Sequence, residues 1–394
     1  MQAILNNVYH PEYGSVTVSL PIPRAEYDHV MQQLEDMGIG DPVRSDCWVL
    51  ELSDEIPVLK RLECESVNID ELDYLAKRLD SFNSYEIAQF EATATRYNIS
   101  TVPDFINLTF CCQQATVITD FSDLTAVGRR HFMTVNGGCA SAEELEALDG
   151  YEMALLLIDS GAGVITPYGV VYDNGMEMKP HYDGKYFPGH CHEQDILTVM
   201  VTSQPELEDT KDVTWLFLPT SRTQIDRAML RSGITDPRDM HLWFSSSDFP
   251  EEVEVILDFE QESIYELNDL ALAFEKLPKM DRIKLGAVVE MAEPESAAQV
   301  RHLAEHLDLF EFAPDAHTPA EYGKYMIQES GYFEYDPNLE ELYDYEKYGL
   351  QRIDQEYGIF ADRGFISYQG SVSLEKLLRD APTRQHQQGM GGMA

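Results

Sequence analysis

Apolar residues recur with the spacing of one helical face in two separate parts of the chain. The first part lies within residues 69–79 and the second within residues 264–274. The apolar positions are Ile69, Leu72, Leu75, Ala76 and Leu79, followed by Ile264, Leu267, Leu270, Ala271 and Phe274. Both patterns predict amphipathic helices. Ser263 and Glu266 have the spacing of a capping box, which predicts that the second helix begins directly after Ser263.

Other segments predict short strands and further helices around this pair. Residues 15–20 and 213–218 are β-rich runs, and a short helix pattern follows each of them. The apolar positions within 300–307 mark another amphipathic helix. A Thr-Pro pair at 318–319 is typical of a helix start, and residues 364–368 predict a closing strand.

The chain repeats its own sequence at a spacing of roughly 195 residues. The matched positions are Leu20-Pro21 with Leu218-Pro219, Arg24 with Arg222, Asp28 with Asp226, Met31 with Met229, 69–76 with 264–271, Gly128-Arg129 with Gly323-Lys324, Ile158-Asp159 with Ile353-Asp354, Gly163 with Gly358, and Gly169 with Gly364. Any single match could arise by chance. Their constant order at nearly one offset indicates two diverged copies of one unit.

These elements predict an α+β fold, arranged as an elongated tandem of small mixed α/β and helical domains in two diverged repeats. Each repeat is expected to contain an N-terminal α+β domain, a helical domain and a C-terminal α+β domain. In the first repeat these domains are residues 1–66, 67–113 and 114–176, and residues 177–211 connect the repeats. In the second repeat they are residues 212–262, 263–316 and 317–375, and residues 376–394 form a flexible tail.

The net charge limits the functions that such a fold could have. The 394 residues include 70 Asp and Glu against 28 Lys and Arg, which gives a formal net charge of -42. Hydrophobic residues make up 44% of the chain, so we expect it to fold. A surface this acidic repels nucleic acid and anionic membranes and attracts basic grooves. Plain solubility and adaptation to high salt are alternative explanations of the acidity.

The sequence favours a cytoplasmic protein. Its first residues lack the basic and apolar regions of a signal peptide. The most apolar stretch, residues 151–172, contains Glu152, Asp159 and several glycines, so we expect buried core there and not a membrane span. Six cysteines in a chain of this length do not make a disulfide scaffold, which fits a reducing compartment.

Candidate catalytic and cofactor sites find little support in the sequence. His181, His190, Cys191 and His192 lie close together, but their spacing matches no zinc pattern, and a solvated linker is the better interpretation. The Cys-Cys pair at 111–112 follows an apolar helix end and is more typical of core than of a redox centre. The sequence contains no phosphate-binding loop or nucleophile elbow. We therefore expect no catalysis, no cofactor and no metal.

Two acidic segments stand out from the rest of the chain. Residues 251–262 run into the predicted helix start at Ser263. Residues 333–349 alternate acids with tyrosines and leucines, and further acids follow up to residue 356. The alternative interpretations are a solvated helix entrance, where the helix dipole favours acids, and an ordinary amphipathic helix. We expect the following carboxylates to form the partner-binding surface as mimics of phosphate: Glu251, Glu252, Glu254, Asp258, Glu260, Glu262, Glu334, Asp336, Glu340, Glu341, Asp344, Glu346, Asp354 and Glu356.

The second acidic segment, continued to the strand at 364–368, resembles the C-terminal antirestriction motif of the ArdA family. The Leu-Pro opening, the helix at 266–271 and the segment at 307–310 are also similar to that family, so the resemblance covers the second repeat and, more weakly, the first. It implies a mimic of B-form DNA that inhibits type I restriction-modification enzymes. The partner would be their methyltransferase and specificity core, whose DNA groove the mimic occupies; neither nucleic acid nor membrane would be a ligand.

The sequence departs from the family pattern in two ways. Family members are usually half this length and act as elongated homodimers of three-domain subunits, whereas this chain carries two units. The first unit's counterpart of the acidic motif, which we place around residues 151–159, is apolar and has lost most of its acids. A covalent tandem could reproduce the length that other members reach by dimerising, and a homodimer of this chain also stays possible.

Three other functions are compatible with the acidic composition of the chain. The first is inhibition of a different DNA-binding protein, such as a nucleoid protein, a CRISPR effector or another nuclease. The second is an enzyme that uses a divalent metal on clustered carboxylates. The third is an acidic structural protein adapted to salt.

Overall fold

The computed structural model describes residues 1–53, 55–207, 210–236 and 239–381, and these fall into two compact units. Unit 1 comprises Met1–Glu193, Thr202–Trp215 and Ser221–Met240. Unit 2 comprises Gln194–Val201, Leu216–Thr220 and the residues from His241 onward. Helices and small antiparallel sheets are mixed in both units, which confirms the predicted α+β class.

Unit 1 opens with a four-stranded sheet of order β2-β1-β3-β4. The strands are β1 (Gln2–Asn6), β2 (Ser15–Ser19), β3 (Cys47–Ser53) and β4 (Ser66–Val67), and neighbouring strands are antiparallel. Side chains alternate along β1, so Ala3 and Leu5 are fully buried in the core. The helix α1 (Tyr27–Asp36) contributes Val30, Met31 and Leu34 to the same core.

Three helices follow in unit 1: α2 (Ile69–Asp80), α3 (Ser84–Arg96) and α4 (Val102–Leu108). The apolar face predicted within 69–79 is buried, which confirms that helix. Asn68 caps α2 by accepting hydrogen bonds from the backbone N–H groups of Asp70 and Glu71. Cys111 and Cys112 follow α4 and lie in the core, as predicted; burial raises the pKa of the Cys111 thiol to about 11.

The last part of unit 1 combines a small sheet with a pair of closely packed helices. The sheet has order β5-β7-β6, with β5 (Thr116–Ile118), β6 (Val164–Thr166) and β7 (Gly169–Tyr172). The helices are α5 (Leu124–Val135), α6 (Ala142–Ala147) and α7 (Gly150–Asp159). An added Cβ on Gly128 of α5 would overlap the carbonyl oxygen of Gly150. The pair α5 and α7 therefore requires glycine at its crossing.

The prediction that residues 151–172 form buried core is wrong for much of that stretch. Ala154, Leu157 and Val171 are buried, but Leu156 is 62% exposed and Ile165 is 84% exposed. The reason is that α7 and β6 each bury only one side, so apolar side chains on the other side face outward.

Residues 177–193, predicted as part of a solvated connection, pack into unit 1. Tyr182 is buried and exchanges two hydrogen bonds with the side-chain amide of Asn107, at 2.8 and 3.0 Å. Phe187 stacks between Tyr74 and Tyr182, with ring centroids 4.7 and 5.0 Å away. His190 is half-buried, and its Nδ1 accepts a hydrogen bond from the Arg78 guanidinium at 3.2 Å, so this histidine is not part of a free linker. Aromatic packing explains why the segment is ordered.

The helix α8 (Arg222–Ser232) also belongs to unit 1, where it packs against α1. Its Arg231 is buried and donates to the Tyr182 hydroxyl at 2.7 Å and to the Asn68 side chain. The same guanidinium lies 3.7 Å from the Glu71 carboxylate, and the Tyr182 hydroxyl donates to Glu71 at 2.7 Å. One turn earlier, Arg227 forms a two-point ion pair with Asp70, at 2.8 and 3.2 Å. We call these residues the buried arginine network.

Unit 2 begins with a sheet of order β10-β8-β9. The strands are β8 (Leu197–Thr202), β9 (Thr214–Leu218) and β10 (His241–Ser247). The strand β8 lies within residues 177–211, so this part of the predicted connection is a strand of the sheet. Its six residues are all buried, which removes the alternation that identifies a half-exposed strand in a sequence.

The helices of the next layer in unit 2 are α9 (Glu251–Glu254), α10 (Ile264–Glu275), α11 (Lys279–Ala292) and α12 (Ala297–Ala304). The predicted helix at 264–274 is confirmed. Ser263 caps α10 by accepting from the Tyr265 N–H at 3.3 Å. The predicted capping box is not formed with Glu266, whose carboxylate lies 3.5 Å from the buried Arg301 guanidinium. Neutralising that buried cation takes precedence over capping.

A second small sheet in unit 2 has order β11-β13-β12. Its strands are β11 (Phe310–Pro314), β12 (Tyr357–Ala361) and β13 (Gly364–Tyr368), and β13 confirms the predicted closing strand. The helices α13 (Pro319–Gln328) and α14 (Tyr345–Ile353) lie between these strands in sequence, separated by the 3-10 helix Pro337–Leu342. Added Cβ atoms on Gly323 and Gly349 would overlap the carbonyl oxygens of Tyr345 and Pro319.

The last described element is α15 (Leu374–Arg379). Residues 376–379, which we assigned to a flexible tail, are helical, because Ser373 caps this helix and Leu374 and Leu377 are buried. Residues 382–394 of that predicted tail lie outside the described residues.

Replacing Gly349 by alanine is expected to destabilise unit 2. The new methyl group would overlap the Pro319 carbonyl, so α13 and α14 would have to separate. We expect a loss of about 2–4 kcal/mol in the free energy of unfolding. Thermal and urea unfolding followed by circular dichroism measures it. Leu350→Ala, at the exposed neighbouring position on α14, is the control and should change stability by less than about 0.5 kcal/mol. Equal stabilities of Gly349→Ala and the wild type would contradict the close packing.

Replacing Arg231 by methionine is expected to destabilise unit 1 more strongly. The substitution keeps the apolar stem but leaves Glu71 and Asn68 buried without the guanidinium. Breaking a buried pair on one side costs about 3–5 kcal/mol. The control Arg222→Met removes a cation from the first turn of the same helix. Urea unfolding of both variants tests the network, and equal losses would contradict it.

Candidate partner-binding surface

The first acidic segment lies on α9 and the turn that leads into α10. Glu251 occupies the first turn of α9, where acids interact favourably with the helix dipole, and its side chain is exposed. Asp258 and Glu260 are exposed in the turn that follows. The Asp258 carboxylate accepts from the Glu260 N–H at 3.1 Å and from the Gln261 side chain at 2.8 Å. These two hydrogen bonds fix the position of the Asp258 carboxylate.

Three other carboxylates of this segment are used inside the fold. Glu252 forms a two-point ion pair with Arg363, at 2.6 and 2.8 Å. Partial burial raises the pKa of Glu252, but the Arg363 hydrogen bonds outweigh it and hold the pKa below its usual value. Glu254 accepts from the Ser247 hydroxyl. Glu262 accepts from the Ala297 N–H at 2.7 Å, at the start of α12, and burial raises its pKa.

The second acidic segment is built around the 3-10 helix Pro337–Leu342, which has three residues per turn. Side chains three positions apart therefore share a face. Asp336 caps this helix by accepting from the Asn338 N–H at 2.9 Å. Asp344 caps α14 by accepting from the Lys347 N–H at 3.0 Å. Both caps are exposed, so each supplies a carboxylate to solvent from a position that the backbone fixes.

Glu340 connects the 3-10 helix of the second acidic segment to the neighbouring helices through hydrogen bonds. Its carboxylate accepts from the hydroxyls of Tyr335 and Tyr345, the latter at 2.9 Å, and from the side chain of Gln328 at 3.0 Å. The Tyr335 hydrogen bond and then that of Tyr345 lower the pKa of Glu340. Because Gln328 lies on α13 and Tyr345 on α14, Glu340 holds the 3-10 helix against both helices.

The remaining carboxylates of the second segment divide clearly by exposure. Glu334, Glu341, Glu346 and Asp354 are exposed. Glu356 is not: only 7% of its side chain is exposed, it is paired with Arg352, and it accepts from the Tyr322 hydroxyl at 2.6 Å. Its carboxylate is an internal partner of these two groups and does not belong to the exposed set.

Sequence reasoning missed an acidic helix in unit 1. The contact between Gly128 and Gly150 in unit 1 has the same form as that between Gly323 and Tyr345 in unit 2, at a constant spacing of 195 positions. With this spacing, the 3-10 helix Pro337–Leu342 corresponds in sequence to α6 and not to residues 151–159. If the two units are copies of one another, the counterpart of the acidic motif is α6, which keeps its acids, and not the apolar residues 151–159. The exposed acids of α6 and the turn after it are Glu143, Glu144, Glu146 and Asp149.

The described part of the chain offers little for catalysis. No group of three or more His, Cys, Asp or Glu within it is placed to hold a metal ion. His190 faces Arg78 and the Lys77 carbonyl, and burial together with Arg78 lowers its pKa. All six cysteines are free thiols.

Among the described residues, no helix has the length and apolar character that crossing a membrane requires.

Replacing Glu340 by glutamine is expected to loosen the second acidic segment, whereas Glu341→Gln should not. Both variants remove one negative charge, but only Glu340 accepts from Tyr335, Tyr345 and Gln328. Because the folded-state pKa of Glu340 is lowered, its stabilisation is present above the usual value of 4.5 and is lost as pH falls through the folded-state pKa. Near-ultraviolet circular dichroism of tyrosine between about pH 7 and pH 4 measures the difference. Identical spectra for the two variants at neutral pH would contradict the role of Glu340 in holding the 3-10 helix against α13 and α14.

Residues 212–367 match the family model described as antirestriction protein (ArdA). A search of the curated proteins finds no match to the chain. The matched region contains both acidic segments of unit 2 and nearly all of the sheet β11-β13-β12.

Proposed function

We propose that this protein is an antirestriction protein that mimics B-form DNA and occupies the DNA-binding groove of type I restriction-modification enzymes. The observation that carries the proposal is the match of residues 212–367 to the antirestriction family, in a chain with a net charge of -42. The exposed carboxylates of the matched region would take the place of phosphates.

The duplication of the chain forms part of this proposal. The strand order β2-β1-β3-β4 in unit 1 corresponds to β9-β8-β10 in unit 2, and β5-β7-β6 corresponds to β11-β13-β12. The Leu20-Pro21 and Leu218-Pro219 bonds are both cis. The repeated order of elements and the spacing of 195 to 198 positions support two copies of one antirestriction unit. A single chain would then present the length of mimic that two ordinary subunits provide.

Electrostatics would supply most of the affinity. Duplex DNA carries two phosphates per base pair, so a net charge of -42 equals the charge of roughly 21 base pairs. The Lys and Arg side chains of a DNA groove form charge-assisted hydrogen bonds with carboxylate as they do with phosphate. Asp336 and Asp344 are already fixed as helix caps, so they lose little freedom on binding.

The mimic would be indifferent to the recognition sequence of its target. Sequence is read from base edges, and carboxylates on a protein surface imitate the backbone alone. Enzymes of different specificity would therefore be inhibited to similar extents.

Competition for a DNA-binding groove tests the proposal directly. A purified type I methyltransferase core, bound to labelled duplex DNA, is titrated with the full chain at low and at high salt. We expect displacement at near-stoichiometric amounts at low salt. Binding of the chain to the core, measured without DNA, should weaken at least about tenfold at high salt because the contacts are charged. Anisotropy of the labelled duplex gives the measurement.

Two controls define the other outcomes of this competition. A second type I core with a different recognition sequence should be displaced equally well. The absence of displacement at either salt would reject the restriction enzyme as partner and direct the search to other DNA-binding proteins. Binding of the chain to the core that does not change with salt would reject the electrostatic account.

A further inference from the structure

An apolar face lies in the middle of the second acidic segment. Leu339 and Leu342 are three residues apart on the 3-10 helix Pro337–Leu342 and therefore share one face. Leu339 is 44% exposed and Leu342 is 78% exposed. Two leucines on one face of so acidic a segment form a surface that phosphate mimicry alone does not require.

Each face of this short helix has a different role. Glu340 shares a face with Pro337 and is held by Tyr335, Tyr345 and Gln328. Glu341 shares the second face with Asn338, and both are exposed. The leucine face is the third. Because the Glu340 face is fixed internally, the carboxylate of Glu341 and the two leucines are presented outward together.

The first acidic segment repeats this combination. Val255 directly follows α9, is 78% exposed, and lies between the acids Glu254 and Asp258 in sequence. The equivalent positions of unit 1, 195 residues earlier, lack a large aliphatic side chain: Lys60 stands for Val255, Glu144 for Leu339 and Ala147 for Leu342. At these three positions, exposed aliphatic side chains beside carboxylates are therefore present in unit 2 and replaced in unit 1.

Lysine and arginine have an aliphatic stem and a charged head, and a complementary surface would contact both parts. We propose that Leu339 and Leu342 are the apolar half of the contact with the partner, where they cover the stems of cationic side chains whose heads bind Glu341 and Asp344. The occupant is the arginine- and lysine-rich DNA groove of the inhibited enzyme, and the inference thus rests on the proposed function. Burial of apolar surface contributes about 25 cal/mol per Å² and does not depend on counterion release.

Salt dependence separates the apolar contact from the charged one. The full chain and three variants, Leu339→Ala/Leu342→Ala, Glu341→Gln and Leu230→Ala, compete with labelled duplex for the methyltransferase core at four salt concentrations. The double leucine variant should weaken inhibition about tenfold at every salt, leaving the slope of log affinity against log salt unchanged. Glu341→Gln should weaken inhibition less and reduce that slope by about one unit. Leu230, an exposed leucine on α8, is the matched control and should have no effect.

Each contrary result has a distinct meaning. Failure of the wild-type chain to displace DNA would reject the proposed function, whereas displacement by the double leucine variant as strong as by the wild type would reject the apolar contact alone. A loss of affinity that vanishes at one end of the salt range would also overturn it. If the double variant loses self-association in analytical ultracentrifugation and keeps its inhibition, the leucine face is covered by a second copy of the chain. Equal thermal stability of wild type and variant, expected for exposed positions, makes these comparisons valid.

Discussion

Unit 1 depends on how the buried guanidinium of Arg231 is neutralised. A cation removed from water must be paired and hydrogen-bonded, and here Glu71, Asn68 and Tyr182 provide those contacts. The three partners come from separate parts of the sequence: the helix α2, its cap, and the segment 177–193. One charge on α8 thereby positions α2 and the aromatic stack around Phe187 at the same time. Removing it would leave the buried Glu71 carboxylate without a compensating cation.

The sequence predicted those elements whose pattern is set locally, and missed those set by distant contacts. Helices α2 and α10 have one apolar face, so their spacing identified them. The strand β8 is buried on both faces and shows no alternation, and it therefore looked like part of a connection. Residues 177–193 are held by the Asn107 side chain and by Tyr74, more than 70 positions away in both cases. Periodicity contains no information about such contacts.

The candidate surface shows the same division between local and distant information. Counting acids located both segments, but it could not separate exposed carboxylates from those that serve the fold. Glu252 is paired with Arg363, which lies 111 positions later in the chain. Glu356 meets Tyr322 because α13 and α14 pack against each other in unit 2. The acids of α6 depend on local information instead. They lie 195 positions before the 3-10 helix Pro337–Leu342, the same spacing that separates Ile158 from Ile353.

The aliphatic side chains at 255, 339 and 342 make unit 2 different from unit 1 at the corresponding positions. Duplex DNA has antiparallel strands and presents the same backbone to a protein approaching from either end of the helix. A chain with Leu342 and Val255 in one copy, and Ala147 and Lys60 in the other, has no such equivalence. If the chain occupies a DNA groove as proposed, an asymmetric groove would accept it in a single orientation. Each unit would then meet its own part of the groove, and the two units could diverge separately.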